Sequence, residues 1–335
     1  MATFPTADLL RGANTQYGFA VEATPNAGLQ TSDPLAWFAP LSDGIRPNIE
    51  KNDVGDLGLT GDGLPGFRFV GKKYTEGDIV TLFDVDNGGM LRRAAFGTVG
   101  TAGTGPYTHT FSLETANPAT LAAVRVSENT AGTTYQDLYK QMLCSQYVME
   151  AAPGGEVRET FSMVGNIDST GATPATQTRA AVAPSSTLTL LGKQSAAMGW
   201  NSNTYELLNW RFVIERTGIG SDTQYVSTDE IAETYISGNT QAYFEVEMPM
   251  SDYALLTAAA GTTQSDASIV FTIGSDTVTI TLENAEVTSY AEDIPDAGPK
   301  SQTLRFAATG GGSFGAKMVV VNSQANAVVT QNTAA

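Results

Sequence analysis

Two short stretches carry paired carboxylates: Asp84 and Asp86 in "FDVDN" (83–87), and Glu245 and Glu247 in "FEVEM" (244–248). On an extended strand, residues two apart project to the same face. Each pair would therefore set two carboxylates side by side, an arrangement able to hold Ca²⁺ or to divide acid and base work. No EF-hand spacing surrounds either pair. The expected role is a charged sheet face, with no metal and no catalysis. The single histidine, His109 in "PYTHTF", has no triad or metal partner marked in the sequence and reads as a satisfied strand histidine. Cys144 in "QMLCSQYV" reads as a small buried hydrophobe. There is no GxSxG, P-loop, CxxC or HExxH, and "GTAGTG" (100–105) lacks a following GK[ST], so it is a turn. No cofactor and no enzymatic activity are expected.

Composition narrows the class further. A lone cysteine excludes an internal disulfide framework. With 35 acids against 18 bases, the formal charge of −17 argues against a protein that grips nucleic acid, which needs Lys and Arg to displace phosphate counterions. The densest basic pairs, Lys72–Lys73 and Arg92–Arg93, read as solvated positions. At 335 residues the chain suits two units of about 150–170 residues. Hydrophobic residues at 41% suffice for real cores, and 34 glycines among abundant Thr, Ala and Ser favour short strands joined by turns. No stretch approaches the roughly 20 apolar residues that span a bilayer. The opening "MATFPTADLLRGANTQ" lacks the basic start and apolar core of a secretory signal.

The acid pairs sit in a phrase that occurs twice: a strand, a cap, a short Leu/Ala helix, then glycine. Phe83 and Phe244 are 161 residues apart, and the same offset joins Tyr74 to Tyr235, Gly77 to Gly238, Val85 to Val246, Asn48 to Asn209, and both acids to acids. After the strand the offset becomes 164, where Gly97–Thr98 meet Gly261–Thr262. A period this long indicates a duplicated domain, not a solenoid. Ile79, Thr81, Phe83 and Val85 are expected on one face of the first strand with Asp84 and Asp86 opposite. Ala242, Phe244, Val246 and Met248 oppose Tyr243, Glu245 and Glu247 on the second. Asn87 is the expected cap of the first helix and Ser251 or Asp252 of the second, with Gly97 and Gly261 as C′ residues.

More strands follow each helix, with clear alternation at Val157, Glu159, Phe161 and Met163. The segment 168–186, poor in large apolar residues, reads as a linker. The expected organisation is an N-terminal arm and first strand region (1–42), a first domain (43–167), the linker, a second domain (187–309), and a flexible C-terminal arm (310–335) with one strand at 318–321. Residues 51–66 and 216–233 are expected to be long loops.

The stretches "DGIRPNIEKNDVGD", "GFRFVGKKYTEGDIVTLFDVDNGGMLRRAAFGT", "YTHTFSLE" and "LCSQYVMEAAPGGEVRETFSMVGN" resemble tail tube (major tail) proteins of bacteriophages with long, non-contractile tails, over most of 35–310. The resemblance implies a mainly β fold: two tandem β-sandwich, barrel-forming domains, each with a short helix. It implies that four strands per domain join neighbours in a continuous barrel, that six domains close a ring, and that rings stack into a tube through which the genome passes. Two domains per chain would give a homotrimeric, pseudo-hexameric ring, with a homohexamer as the alternative. Roughly 24 strands spaced about 4.8 Å and tilted about 40° close a backbone cylinder near 48 Å across, and side chains remove about 10 Å. That bore is wider than duplex DNA.

Implied partners are the chain itself, a tape-measure protein, tail tip and tail terminator proteins, and double-stranded DNA in transient, non-specific passage, with no membrane. The implied location is the virion tail, after assembly in the host cytoplasm. Carboxylates on the wall would repel phosphate within a Debye length of about 8 Å, and Asp84, Asp86, Glu245 and Glu247 are the candidate lumen-facing acids. The competing readings are a virion decoration or surface-layer adhesion protein, and an acid/base hydrolase using the carboxylate pairs.

Overall fold

The computed structural model describes residues 10–25, 27–29, 33, 35–38, 40–53, 68–114, 118–129, 134–151, 156–172, 197–219, 239–250, 253–273, 275–294, 300–309 and 315–325. The expected loops fall largely outside these residues, as does most of the 168–186 linker. Strands dominate, and all pairs are antiparallel.

In the first half, β1 (Leu10–Val21), β2 (Ala36–Phe38), β3 (Ser42–Asp43), β4 (Arg46–Asp53) and β5 (Arg68–Leu82) precede helix α1 (Gly89–Phe96). Then come β6 (Gly97–Ala102), β7 (Tyr107–Leu113), β8 (Leu121–Asn129), β9 (Thr134–Ala151) and β10 (Val157–Ala172). The second half has β11 (Ala197–Trp200), β12 (Asn203–Glu206), β13 (Asn209–Arg216), β14 (Thr240–Pro249), helix α2 (Ala254–Ala259), β15 (Gln264–Ile273), β16 (Asp276–Asp293), β17 (Ser301–Ala308) and β18 (Ala316–Asn322).

One sheet crosses the whole molecule. Its order is β3/β4, β5, β10, β9, β13, β14, β17, β16. Each half thus contributes a hairpin (β3/β4–β5, β13–β14) and then the pair β10–β9 or β17–β16, in the same order, and β9–β13 is the seam between them. A second layer packs against it: β2–β1–β8 on the first half, and β12–β11–β15 continuing through β16 and β18 to β7 and β6 on the second. One continuous apolar core runs between the layers through both halves.

The alternation read from the sequence holds where strands are central. Ala242, Phe244, Val246 and Met248 are buried, as are Val157, Phe161 and Met163. The strand expected at 318–321 of the C-terminal arm is β18, and it is clamped between β16 and β7 as part of the sheet and not carried on a flexible arm, because Ala316, Met318 and Val320 alternate into the core. The expected boundary at 167 falls inside β10.

The two halves share individual bonds as well as strand order. Leu41 N donates to Val80 O and Leu208 N to Glu247 O; Phe83 N donates to Val157 O and Met250 N to Lys300 O. Ser145 Oγ donates to Ser162 O and Thr288 Oγ1 to Arg305 O. Gln141 and Asn284 both hold positive φ (51° and 50°) within β9 and β16. Register slips follow between the partners of Cys144 and Gln146 in one half, and at Val287/Ser289 in the other. The first hairpins therefore correspond at a spacing of 167 residues and the second at 143.

The sequence offset of 161 is six residues away from the ladder spacing: Phe83 corresponds to Met250, not Phe244. An even slip leaves inward and outward positions unchanged, so hydrophobic alternation cannot detect it.

Helix capping also differs from expectation. α1 begins at Gly88 (φ 83°) with no side-chain cap, because Asn87 donates to Asp84 instead. Gly97 does close it at φ 109°. For α2, Ser251 and Asp252 lie outside the described residues, Tyr253 precedes the helix, and Ala260 ends it. Gly77 (φ 148°) marks where β3 passes into β4 beside β5: a Cβ there would meet Gly44 O at 2.1 Å.

Candidate functional site: one polar face of the transverse sheet

The four sequence-predicted acids do not come together. β5 ends at Leu82, so Asp84 and Asp86 lie in the turn into α1 and not on a strand face. Asp84 is buried; its Oδ1 accepts from Asp86 N (3.0 Å) and its Oδ2 from Asn87 Nδ2 (2.6 Å). These bonds shape the turn that carries the chain into the helix. Burial, followed by the neighbouring charges of Asp84 and Asp276, holds the Asp86 carboxyl above its ordinary range, opposed by a hydrogen bond to Gln324. Its Oδ1 has no hydrogen-bond partner.

Glu245 and Glu247 do share one strand face, on β14, and both line an open groove of about 530 Å³ at the seam with Glu150, Arg158, Arg211 and Thr303. Since 167 residues separate corresponding positions here, the first-half counterpart of Glu245 is Asp78 on β5, which is solvent-exposed. Sequence matching missed Asp78 because the slip of six placed Asp84 there.

The registers arrange this face in rows across the strands. Arg158 on β10 stands opposite Glu150 on β9, Glu150 opposite Arg211 on β13, Arg211 opposite Glu245 on β14, and Glu245 opposite Arg305 on β17. Opposite residues share a face with Cβ atoms about 5 Å apart, so charge alternates along the row. Arg211 Nη1 lies 3.4 Å from Glu245 Oε2, and its Nε lies 3.7 Å from Glu150 Oε2.

The next row is apolar: Tyr243, Val213 and Val148 pack together with Ala307. Arg305 covers it, its Cζ 3.6 Å above the Tyr243 ring. Burial, then Glu215, raises the Tyr243 hydroxyl pKa. Beyond lies a hydrogen-bonded polar row, where Gln146 Nε2 donates to Glu215 Oε1 (2.8 Å) and Ser162 Oγ to Asp78 Oδ1 (2.6 Å). The face therefore offers Asp78, Glu150, Glu215, Glu245 and Glu247 to solvent, with its arginines seated among them.

The opposite face holds the only charge pair among the described residues in which both members are almost wholly buried. Arg92 on α1 and Glu159 on β10 are 2% and 1% exposed. They form a fork, Nε to Oε1 at 2.9 Å and Nη2 to Oε2 at 2.8 Å. Nη2 also donates to Asp84 O, Tyr147 Oη donates to Glu159 Oε1, and the guanidinium lies 3.8 Å over Phe83. Burial is the largest influence on Arg92 and would lower its pKa, but the Glu159 charge and hydrogen bonds outweigh it and raise it. Burial and then Glu159 push the Tyr147 phenol well up. A glutamate in strand alternation and an arginine in "MLRRAAF" gave no sequence signal that they would meet.

His109 is buried and linked on both nitrogens. Nε2 faces the Oδ1 of Asn322 (3.0 Å) and the carbonyl of Gln324 (2.9 Å), so it carries the proton, and Nδ1 accepts from Thr101 Oγ1 (2.9 Å). This satisfied strand histidine fastens β18 to β7. Cys144 is fully buried, and burial pushes its thiol up to about 12. No cluster of three or more His, Cys, Asp or Glu with metal-holding geometry occurs among the described residues. No helix among them is long and apolar enough to cross a membrane.

The chain is mainly β, with a wide transverse sheet carrying one polar face and two short helices. A profile of the phage tail tube protein family matches residues 12–310, and the chain belongs to that family. Membership agrees with the resemblance seen in the sequence. It gives the chain a structural role in the virion tail, where it assembles with itself into the tube alongside other tail components. No curated protein matches the chain.

Proposed function

We propose that the chain is a duplicated tube subunit, that three copies close a pseudo-sixfold ring, and that stacked rings form the conduit through which the genome leaves the virion. The observation that carries this reading is the β9–β13 seam: two four-strand units of identical order meet edge to edge inside one chain. The same meeting can be repeated between chains. On β16, the side away from β17 has no strand partner beyond Glu286 among the described residues. The β3/β4 edge away from β5 likewise has none.

Mapping the seam by the 143 and 167 spacings brings Tyr290 to the place of Tyr147 and Ile45 to that of Phe212. At the internal seam Tyr147 is buried beneath Phe96 and Phe212. At the free end, Ile294 just past β16 (60% exposed), and Tyr253 and Leu256 at α2 (58% and 38%), which packs on β16, are exposed. An exposed apolar set of this kind beside an open strand edge favours association.

In the lone chain the receiving edge is blunted. Pro47 offers no N–H, and Arg46 and Arg125 both donate to the Ile45 carbonyl. Closure by head-to-tail contacts then requires only that the rotation per chain complete a circle.

On this reading the polar face of the transverse sheet is the wall of the bore. Glu245 and Glu247, with Asp78, Glu150 and Glu215, are its acids, and Asp84 and Asp86 act as turn-forming residues away from it. A tape-measure protein, a tip complex and a terminator would set tube length and ends, with assembly in the host cytoplasm. Averaged top views of purified assemblies provide the test. Three chains per ring, six lobes and a bore lined by β14 and β9 are expected; six chains per ring, or a bore lined by β15 or β18, would overturn it.

A further inference from the structure

The charge row Arg158–Glu150–Arg211–Glu245–Arg305 contains three arginines on the face assigned to the bore, where a bare guanidinium would bind passing phosphates bidentately. We propose that Glu150 and Glu245 serve as masks: each stands between two arginines in register, both approach Arg211 (3.7 and 3.4 Å), and their charges compete with duplex DNA for the guanidiniums, so the wall stays non-adhesive although it contains cations. The proposal rests on the assignment of this face to the bore, made above.

Three observations carry it. The two glutamates are the only row members between arginines, and each is directly opposite both of its neighbours in register. Arg211 approaches both glutamates. Arg305 is turned flat onto Tyr243, and its Nη2 lies 3.4 Å from Gln241 Oε1, so its fork is not presented outward. A general excess of negative charge would not need this placement. Charge distributed anywhere on the wall would weaken the bulk attraction of DNA, whereas a phosphate at contact distance is governed by its immediate neighbours, within a Debye length of about 8 Å.

The test compares Glu150→Gln/Glu245→Gln with Glu206→Gln/Glu286→Gln, a pair away from the row that changes net charge equally. Binding of a fluorescent 30-base-pair duplex is measured at ~50 mM and ~200 mM salt, on single chains and on assembled tubes, with circular dichroism confirming the fold. Single chains of the masking variant are expected to bind DNA at least about tenfold more tightly than the wild type or the control pair, and to lose the gain at the higher salt. Adding Arg158→Gln, Arg211→Gln and Arg305→Gln should abolish it. Equal binding by both glutamine pairs, or no gain in the masking variant, overturns the masks. If single chains bind but assembled tubes hold the duplex only on their outer surface, the masks stand and the bore assignment falls.

Discussion

The Arg92–Glu159 pair shows what one residue must do when a charge leaves water. Burying two ions costs several kcal/mol each, and only a close fork with its remaining donors satisfied offsets that cost. The second half reaches the same architecture without the pair. Gln302 occupies the ladder position of Glu159 and is 3% exposed, while Leu256 follows Leu255 in α2 as Arg92 follows Leu91 in α1. Glu159→Gln alone should therefore lower stability by about 3–5 kcal/mol in chemical denaturation, because it strands a buried guanidinium. Arg92→Leu/Glu159→Gln, which copies the second half, should recover most of the loss.

Asp86 gives a pH-dependent counterpart. Its folded pKa is raised, so the native state favours the protonated form. The associated stability is present below the ordinary value of 3.8 and disappears as pH rises through the folded value. Asp86→Asn should melt at a higher temperature than the parent near pH 7, and the difference should shrink as pH falls and vanish well below 3.8. A variant less stable at neutral pH would show that the carboxylate has a partner worth keeping.

At the scale of elements, edges decide behaviour. Thr217 N donates to Asn239 O in the β13–β14 register, which marks the odd-numbered residues of β13 as those bonded to β14. Phe212 and Ile214 thus bond across the seam to Met149 and Tyr147. By the 143 spacing, Glu292 and Tyr290 offer the equivalent donors on the open edge of β16. Glu292→Pro removes one such donor without touching the β17 side. It should leave the melting temperature of the single chain within a few degrees and abolish ring formation in negative-stain images; normal rings would exclude this edge from the contact.

The helices show the same contrast. α1 is buried nearly throughout because the seam covers it, with Phe96 stacked on Phe212 and Arg216 donating to Phe96 O. α2 buries only Leu255. Short helices of this kind depend on a covering layer for stability. The strand–helix phrase was therefore readable twice in the sequence, but its different degree of burial was not, since burial depends on what lies beyond the edge.

For the whole molecule, composition and strand alternation were enough to define a β-rich chain, because apolar periodicity and turn residues act locally, and the structural role was implied by the family resemblance. A strand–helix phrase occurring twice was also visible. The exact correspondence was not. A period of two cannot distinguish an offset of 161 from one of 167, so the sequence matches Asp84 and Asp86 to Glu245 and Glu247, whereas the first-half counterpart of Glu245 is Asp78. Only hydrogen-bond register resolves that choice, as it resolves the row of Arg158, Glu150, Arg211, Glu245 and Arg305, whose members come from five strands spread over 156 residues. The sequence by itself determined which apolar residues of the central strands face inward and, through its family resemblance, that the chain assembles. Tertiary structure decided which charges become neighbours, because cross-strand proximity is set by pairing between distant segments and leaves no local trace along the chain.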